Sequence, residues 1–298
     1  MICIDKNYST TRLLTREKPV LENKPEDKFE SVLFLPEGEE RKGEGGLRMQ
    51  GYFKTSLKDK PLITVITVVF NGEQFLEETI QSVINQTYDN VEYIIIDGGS
   101  TDGTLDIIRK YEYAIDYWVS EYDNGIYDAF NKGIRCCQGQ YYIVLGCDDV
   151  LFEKSIKKLV DSSIKENCYD YIVASMFLGD KLRSGVNPSK GWLGAHAMVT
   201  GHSVGMIISL NVHRVLGLYS TKYRLASDAL FIKKLFYSDL RRGLSNVIMG
   251  RFSLGGVSNN DTAHALTEGF LVQLETEKNK ILQVIIFIIR LIKNIQRV

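Results

Sequence analysis

The chain has 298 residues, of which 44% are hydrophobic and 24% are charged, a composition typical of a folded protein. Its formal net charge of −1 provides no global field that would favour nucleic acid. The five cysteines show no C-x-x-C spacing, which argues against zinc, and their odd number suits a reducing cytoplasm. The first residues lack the apolar segment of a signal peptide, and no apolar run approaches the ~20 residues that span a bilayer.

The first 60 residues are polar and carry no sustained hydrophobic period. Residues 36–46 are rich in glycine and charge, which predicts a loop or a mobile strap. Phe34 and Tyr52–Phe53 are candidate anchors to the rest of the chain. The sequence leaves two alternatives open for this N-terminal extension, which are a docked segment and a partly disordered one.

Buried strands begin after Pro61. Leu62–Phe70 is apolar and β-branched, as is typical of a strand buried on both faces in a parallel sheet. Val91–Asp97 is a second run of this kind. Between them, Glu73–Asn85 carries apolar residues at helical spacing. This stretch therefore predicts one strand–helix–strand unit.

The alternation continues through the next 50 or so residues. We expect a short strand over Tyr117–Ser120, a helix over Ile126–Cys136 and a fourth strand over Tyr141–Leu145. Repeated strand–helix units with short loops predict an α/β fold with a Rossmann-like, mostly parallel sheet and helices on both faces.

Polar or acidic side chains follow three of these strands, namely Asn71, Asp97 and the pair Asp148–Asp149. Ligands of such sheets bind outside the carboxyl ends of the strands, so these side chains should line one crevice. Asp97 can accept hydrogen bonds from a base or ribose, and Mg²⁺ or Mn²⁺ on the Asp pair can bridge a diphosphate. The pattern predicts a nucleoside diphosphate site, although each carboxylate is also compatible with an ordinary capped turn.

Several linked motifs resemble one known family. The segments TVITVVFNGEQFLEETIQSVINQTYDNVEYIIIDGGSTDGT, SEYDNGIYDAFNKGI and VLGCDDV resemble the family 2 glycosyltransferases with the GT-A fold. The subgroup they resemble comprises bacterial enzymes of polysaccharide, O-antigen or exopolysaccharide assembly. The strong resemblance covers about Pro61–Leu151, and a looser one extends to about Asn259.

The resemblance implies roles for individual residues. Asp97 would meet the base, Asp148 would lie near the ribose, and Asp149 would hold the Mg²⁺ or Mn²⁺ on the diphosphate. The other implied donor-binding residues are Val69, Phe70, Asn71, Asp128, Asn131 and Lys132. Lys132 is equally compatible with a solvated surface lysine. Cys147 replaces the first Asp of the family's D-x-D motif, and we expect it to be structural because a neutral thiol is a poor Mg²⁺ ligand.

The second half resembles the acceptor side of the same family. Asp228 matches the general base, which an acceptor hydroxyl needs when it attacks. On pattern alone, Asp228 is better described as the N-cap of a helix over Ala229–Tyr237. His202 is a candidate at the acceptor opening or a structural histidine, and residues 255–258 predict a turn near the donor phosphates or a simple loop.

The C-terminal segment Ile281–Val298 places apolar residues on one helical face and polar or basic ones on the other. A basic amphipathic helix fits a membrane surface. The alternative is a C-terminal core or dimer helix.

These observations predict a polar extension (1–60), a GT-A domain (61–260, with a nucleotide-binding half 61–151 and an acceptor-side half 152–260) and an amphipathic helical tail (261–298). We expect an inverting glycosyltransferase that moves a sugar from a UDP-linked donor to a glycan or lipid-linked acceptor in cell-surface polysaccharide biosynthesis. It would act in the cytoplasm, peripherally on the inner face of the plasma membrane. The alternative is a non-catalytic nucleotide-sugar-binding protein. A dinucleotide dehydrogenase is disfavoured, because Asn71-Gly72-Glu73 stands where G-x-G-x-x-G belongs.

Overall fold

One β-sheet runs through the computed structural model, which describes residues 1–38, 40–165, 167–199, 203–253 and 261–295. Its strands are β1 (Gly43–Gly45), β2 (Ile63–Val69), β3 (Val91–Asp97), β4 (Tyr117–Ser120), β5 (Tyr141–Gly146), β6 (Val150–Leu151), β7 (Tyr171–Leu178), β8 (Lys181–Arg183), β9 (Met206–Ser209) and β10 (Arg242–Phe252). The strand order is β1-β4-β3-β2-β5-β9-β7-β10-β6, and β8 pairs with β7.

The α-helices of the described residues are α1 (Leu76–Ile84), α2 (Thr104–Lys110), α3 (Ile126–Cys136), α4 (Ser155–Leu159), α5 (Ala195–Met198), α6 (Leu210–Leu216), α7 (Ser227–Phe236), α8 (Thr262–Thr276) and α9 (Lys280–Lys293). Short 3-10 turns occupy Ser9–Thr11, Glu112–Ala114, Pro188–Leu193 and Ser203–Gly205. A π-helical turn, Val160–Ile164, continues α4.

The centre of the sheet is the parallel set β4, β3, β2 and β5. Every residue of β2 and β3 is buried, because helices cover both faces of the sheet. A strand covered on both faces has no solvent side, so its sequence is a continuous apolar run rather than an alternating one. The predicted α/β sheet and its strand–helix order are confirmed in this half.

The second half of the sheet is mixed in direction. β9 pairs antiparallel with both β5 and β7, whereas β10 runs parallel to β7. The parallel arrangement therefore holds for the four central strands, and antiparallel pairs extend it. The helix expected over Ala229–Tyr237 begins two residues earlier and spans Ser227–Phe236.

The N-terminal extension packs against the amino ends of β3 and β4. Its strand β1 pairs antiparallel with β4 and covers that edge of the sheet. Arg48 is buried and donates a hydrogen bond from Nη2 to Glu92 Oε1 at 2.6 Å. The buried Lys54 ammonium lies 3.1 Å from Asp116 Oδ2. Buried charges persist only when they are paired, so the docked alternative describes this segment.

The C-terminal residues form two helices outside the sheet. α8 packs against α7 and against α9. The helices of the described residues include none that is long and apolar enough to cross a membrane.

Candidate active site

The carboxyl ends of β2, β3 and β5 meet at one edge of the sheet. The parallel register places Val69 beside Asp97 and Val68 beside Gly146. Asp148 and Asp149 follow Gly146 within three residues. The polar ends of the three strands therefore lie at a common edge, as parallel pairing requires.

Asp97 is fully buried at this edge. Ser120 Oγ donates to its Oδ2 at 2.5 Å, and Ser100 binds it through both the hydroxyl and the backbone N–H. Both carboxylate oxygens thus organise the loop after β3 and the end of β4. Asp97 therefore caps the turn after β3, as one of its two predicted roles requires, and its contact with a base stays a prediction.

The end of β2 presents three candidate donor-binding residues in different environments. Val69 is buried, whereas 63% of the Phe70 side chain is exposed. Asn71 adopts a left-handed conformation with φ 51°, and its Oδ1 accepts a hydrogen bond from Thr101 N at 2.8 Å. Asn71 therefore fastens the turn after β2 to the loop after β3, and Phe70 projects as an open aromatic face.

The two adjacent carboxylates differ in burial. Asp149 is 1% exposed, and its oxygens accept hydrogen bonds from Gly146 N and Ser253 N, both at 2.9 Å. Asp148 is half-buried and accepts no hydrogen bond from the part of the chain that the structure describes. Asp149 therefore holds the turn together, while Asp148 is the more accessible of the pair.

Cys147 packs against the hydrophobic core beside this pair. Burial, together with the charges of Asp148 and Asp149, raises the pKa of the Cys147 thiol to about 12. The thiol is therefore protonated at neutral pH, which agrees with the structural role expected for it.

Helix α3 carries three of the predicted donor-binding residues, and each has a protein partner. Asn131 is buried and pairs with the backbone of Tyr219, donating to its carbonyl and accepting from its N–H, both at 2.9 Å. Lys132 Nζ lies 2.9 Å from Glu121 Oε1, so it is not a solvated surface lysine. Asp128 accepts a hydrogen bond from Asn124 N at 3.1 Å. Asn131 thus joins the two halves of the domain, and its role in donor binding stays a prediction.

Asp228 lies in the first turn of α7, where Ala226 and not Asp228 is the N-cap. The N-cap alternative is therefore wrong. Instead, Asp228 Oδ1 accepts hydrogen bonds from the Tyr127 hydroxyl at 2.8 Å and from Ala229 N at 2.6 Å. Asp228 also lines a mainly apolar cavity together with Phe130 and Tyr219.

Tyr127 is a candidate functional residue that the sequence reasoning missed. It is buried, stacks on Tyr219 with ring centroids 5.8 Å apart, and contacts Phe130. Burial and the adjacent Asp228 charge raise the pKa of Tyr127 well above its ordinary value. The available signal was helical spacing, because Tyr127 and Asn131 lie four residues apart on one face of α3, the face that meets the second half.

His213 is a buried structural residue that packs against Tyr219 and Phe231. Its ring stacks on Phe231, with centroids 4.8 Å apart, and burial lowers the pKa of His213 to about 4. The neutral ring donates from Nδ1 to Gly217 O and accepts from the Tyr142 hydroxyl at Nε2. His202 and residues 255–258, by contrast, lie outside the described residues.

Asp148 and Asp149 suit a divalent ion that takes some of its ligands from the substrate. Among the described residues, no group of three His, Cys, Asp or Glu side chains could bind a metal. Asp148 and Asp149 offer hard carboxylate oxygens, and Mg²⁺ or Mn²⁺ commonly takes its remaining ligands from phosphate and water.

The mixed α/β sheet, with its parallel four-stranded core and antiparallel extension, has the GT-A fold. Residues 64–208 match the family model described as glycosyl transferase family 2. This part of the chain is therefore a family 2 glycosyltransferase domain, and the resemblance found in its motifs is confirmed.

Relatives of the chain include an uncharacterized glycosyltransferase of Haemophilus influenzae, 37% identical over 107 residues that cover 35% of this chain and 33% of that protein. Another is a Bacillus subtilis protein named for teichuronic acid biosynthesis, TuaG, 35% identical over 113 residues that cover 37% of this chain and 44% of that protein. The matched region spans less than half the length of either relative.

Two solved structures show the same fold at low sequence identity. Staphylococcus aureus TarS 1–349 in complex with UDP-GlcNAc has a TM-score of 0.55 and 17% identity, covering 76% of this chain and 70% of that one. The mannosyltransferase PcManGT from Pyrobaculum calidifontis, in complex with GDP-Man and Mn²⁺, has a TM-score of 0.53 and 18% identity, covering 74% and 66%.

Proposed function

We propose that this chain is an inverting glycosyltransferase that moves a sugar from a UDP-linked donor to a glycan or lipid-linked acceptor in cell-surface polysaccharide assembly. The observation that carries the proposal is the hydrogen bond that ties Asp228 to Tyr127. This bond joins the proposed base, Asp228, to Tyr127 of the family 2 domain, which also carries the acidic ends of β3 and β5. The UDP-GlcNAc complex of TarS supports the donor class, and the name of TuaG supports the acceptor class.

In the proposed reaction, Asp228 takes the proton of the acceptor hydroxyl while that oxygen attacks the anomeric carbon of the donor sugar. The bond between this carbon and the UDP oxygen breaks in the same step, so the configuration inverts. No enzyme nucleophile is needed. Tyr127 remains protonated at neutral pH because its pKa is raised, so its hydroxyl donates to Asp228 throughout.

The Asp pair is the proposed metal site. Asp149, with Asp148 beside it, would hold Mg²⁺ or Mn²⁺, and such an ion supplies charge neutralisation to a departing diphosphate. The Mn²⁺ complex of PcManGT supports this assignment.

The donor base and ribose would lie over the ends of β2 and β3. Phe70, with 63% of its side chain exposed, offers a face on which a base can stack. Asp148 remains the candidate for the ribose. Asp97 and Asn131 would act indirectly, because Asp97 fixes the loop after β3 and Asn131 fixes Tyr219. Asp128 and Lys132 stay candidates at the start of α3.

We also propose peripheral contact with the inner face of the plasma membrane through α9. The exposed apolar residues of this helix are Ile281, Val284, Ile285, Ile288, Ile289 and Ile292, followed by Ile295. The exposed Lys280 and Lys293 stand at its two ends, and no acidic residue follows Glu277. A face of this kind suits anionic lipid, whereas a second copy would bring like charges together.

The decisive experiment measures UDP release from a panel of UDP-sugars, with Mg²⁺ or Mn²⁺ and a lipid-linked or soluble glycan acceptor. We expect acceptor-dependent release in the wild type, and its loss in Asp228→Asn with donor binding retained. A protein that binds UDP-sugars but releases no UDP with any acceptor would instead be the non-catalytic binding protein.

A further inference from the structure

Glu268 on α8 is a buried carboxylate whose partners are backbone amides. Its oxygens accept hydrogen bonds from Arg224 N at 2.9 Å, Leu225 N at 2.7 Å and Ala226 N at 3.0 Å. Only 8% of the side chain is exposed. Three successive N–H groups therefore converge on one anion, which charge-assisted hydrogen bonds stabilise despite its burial.

These three amides immediately precede α7. The helix has no side-chain cap at Ala226, and Asp228 is its second residue. Glu268 binds the N–H of the N-cap residue Ala226 and of the two residues before it, so it fixes the backbone that enters α7, and its charge complements the positive end of the helix. Any shift of residues 224–226 passes directly to Asp228.

α8 also packs against other parts of α7. Val272 packs in one buried cluster with Tyr223, Ala226 and Leu230. Further along, the buried Lys233 ammonium donates to Gln273 of α8 and to Glu277, the residue that follows α8. α8 thus holds the helix of the proposed base at its start and at its middle.

We propose that Glu268 is a positioning residue that sets the place of Asp228, an inference that rests on the proposed function. A general base must lie within hydrogen-bond reach of the proton it removes, and a displacement of about 1 Å can lower the rate about 100-fold. Glu268 lies beyond residues 64–208, the part matched to family 2. The C-terminal segment is therefore part of the catalytic apparatus rather than a separate tail.

The test compares Glu268→Gln with Glu275→Gln on the same helix. Glu275 accepts a hydrogen bond from the Tyr223 hydroxyl but does not bind the backbone of residues 224–226. In Glu268→Gln, an amide NH₂ replaces one of the acceptor oxygens. We expect kcat to fall about 10- to 100-fold, with UDP affinity and the KM for the donor unchanged, and we expect Glu275→Gln to resemble the wild type. Glu268→Asp keeps the charge and should recover part of the loss.

Amide hydrogen exchange gives a readout that does not depend on activity. Exchange at residues 224–228 should become faster in Glu268→Gln and stay unchanged in Glu275→Gln. Equal exchange in the two variants overturns the inference, as does a parallel loss of kcat and UDP affinity, which would show general unfolding. The proposed function fails separately, if Asp228→Asn turns over like the wild type. If Asp228→Asn is inactive and Glu268→Gln matches Glu275→Gln, only the present inference fails.

Discussion

The hydroxyl of Tyr127 donates a hydrogen bond to Asp228 Oδ1 across 2.8 Å, although 101 positions separate the two residues in the chain. Tyr127 lies in the first turn of α3, and Asp228 lies in the first turn of α7. Their hydrogen bond therefore joins the half of the domain that carries the acidic strand edge to the half that carries the proposed base. Because the Tyr127 hydroxyl stabilises the ionised carboxylate, the ionisation of Asp228 depends on Tyr127.

Replacing Tyr127 with Phe should raise the pKa of Asp228 and slow transfer. The hydroxyl stabilises the ionised carboxylate, and a hydrogen bond to a charged group contributes about 1.5–3 kcal/mol. A general base works when ionised, so the acidic limb of the pH–rate profile should move to higher pH. Initial rates of UDP release across about pH 3.5–7 measure this shift.

Tyr219→Phe is the matched control for that experiment. Tyr219 stacks on Tyr127 in the same buried cluster, but the hydrogen-bond partner of its hydroxyl is Tyr142. Its removal should leave the acidic limb in place. An unmoved limb in Tyr127→Phe, or equal shifts in both variants, would show that the Tyr127 hydroxyl does not tune Asp228.

The central strands were predictable because burial on both faces leaves a strong signal in the sequence. Ile63–Val69 and Val91–Asp97 are buried throughout and mostly apolar or β-branched, so their predicted bounds are off by one residue at most. The antiparallel direction of β9 was not predictable. Met206–Ser209 is short, and the residues before it show no clear helical periodicity that would indicate a crossover helix. Pairing direction depends on where the chain returns to the sheet, which no local pattern encodes.

Site residues were harder to assign, because the partners of a polar side chain lie far away in the sequence. Asn131 forms a hydrogen bond with Tyr219, 88 positions away, and Asp97 forms one with Ser120, 23 positions away. A motif can indicate that such a residue matters. It cannot distinguish a ligand contact from a contact that supports another segment, since both require the same donors and acceptors.

Substitution of Asp148 and of Asp149, one at a time, should distinguish an effect on metal binding from an effect on stability. Asp149→Asn loses an acceptor for a buried backbone N–H, so we expect its free energy of unfolding to fall by about 1–3 kcal/mol. Asp148→Asn should unfold like the wild type, within about 0.5 kcal/mol. The metal proposal predicts that Mn²⁺ no longer tightens UDP binding in Asp149→Asn. Titration calorimetry with and without EDTA, together with urea denaturation, measures both quantities.

Retained Mn²⁺-dependent UDP binding in Asp149→Asn would contradict the assignment of the metal to Asp149. Loss of that dependence in Asp148→Asn alone would move the ion to Asp148, the more accessible carboxylate. Full turnover of the wild type in EDTA would remove the metal from the mechanism.

Lys54→Met should destabilise the fold through the N-terminal extension. The change leaves Asp116 buried without the ammonium that lies 3.1 Å from it, a loss of about 3–5 kcal/mol. Burial raises the pKa of Asp116 from 3.8 to about 6, so the folded state holds this proton more tightly than the unfolded state. The contribution of Asp116 to stability is therefore largest below pH 3.8 and is lost as pH rises through about 6.

The destabilisation of Lys54→Met should accordingly be larger at about pH 8 than at about pH 5. Urea denaturation at the two values measures it. The exposed Lys58 provides the control, since Lys58→Met should change stability little at either pH. A loss that is equal at both values would show that the ionisation of Asp116 does not change between about pH 5 and about pH 8.

The apolar face of α9 should bind anionic vesicles. Ile288 and Ile292 are 49% and 65% exposed, and burying one such side chain contributes about 1.5–3 kcal/mol. We expect the double substitution Ile288→Ser/Ile292→Ser to weaken flotation with phosphatidylglycerol vesicles by at least about tenfold. Val20→Ser, which changes an exposed residue of the N-terminal extension, should float like the wild type.

The salt dependence and the oligomeric state of the same proteins identify what covers this face. Contact through Lys280 and Lys293 predicts weaker flotation at high salt and little binding to neutral phosphatidylcholine, because each basic residue near an anionic surface contributes about 1 kcal/mol. A wild-type dimer that the double substitution converts to a monomer, with flotation unchanged, would assign the face to a second copy of the chain instead. Retained flotation of the double variant as a monomer would place any membrane contact elsewhere, because the two isoleucines lie at the centre of the exposed apolar face.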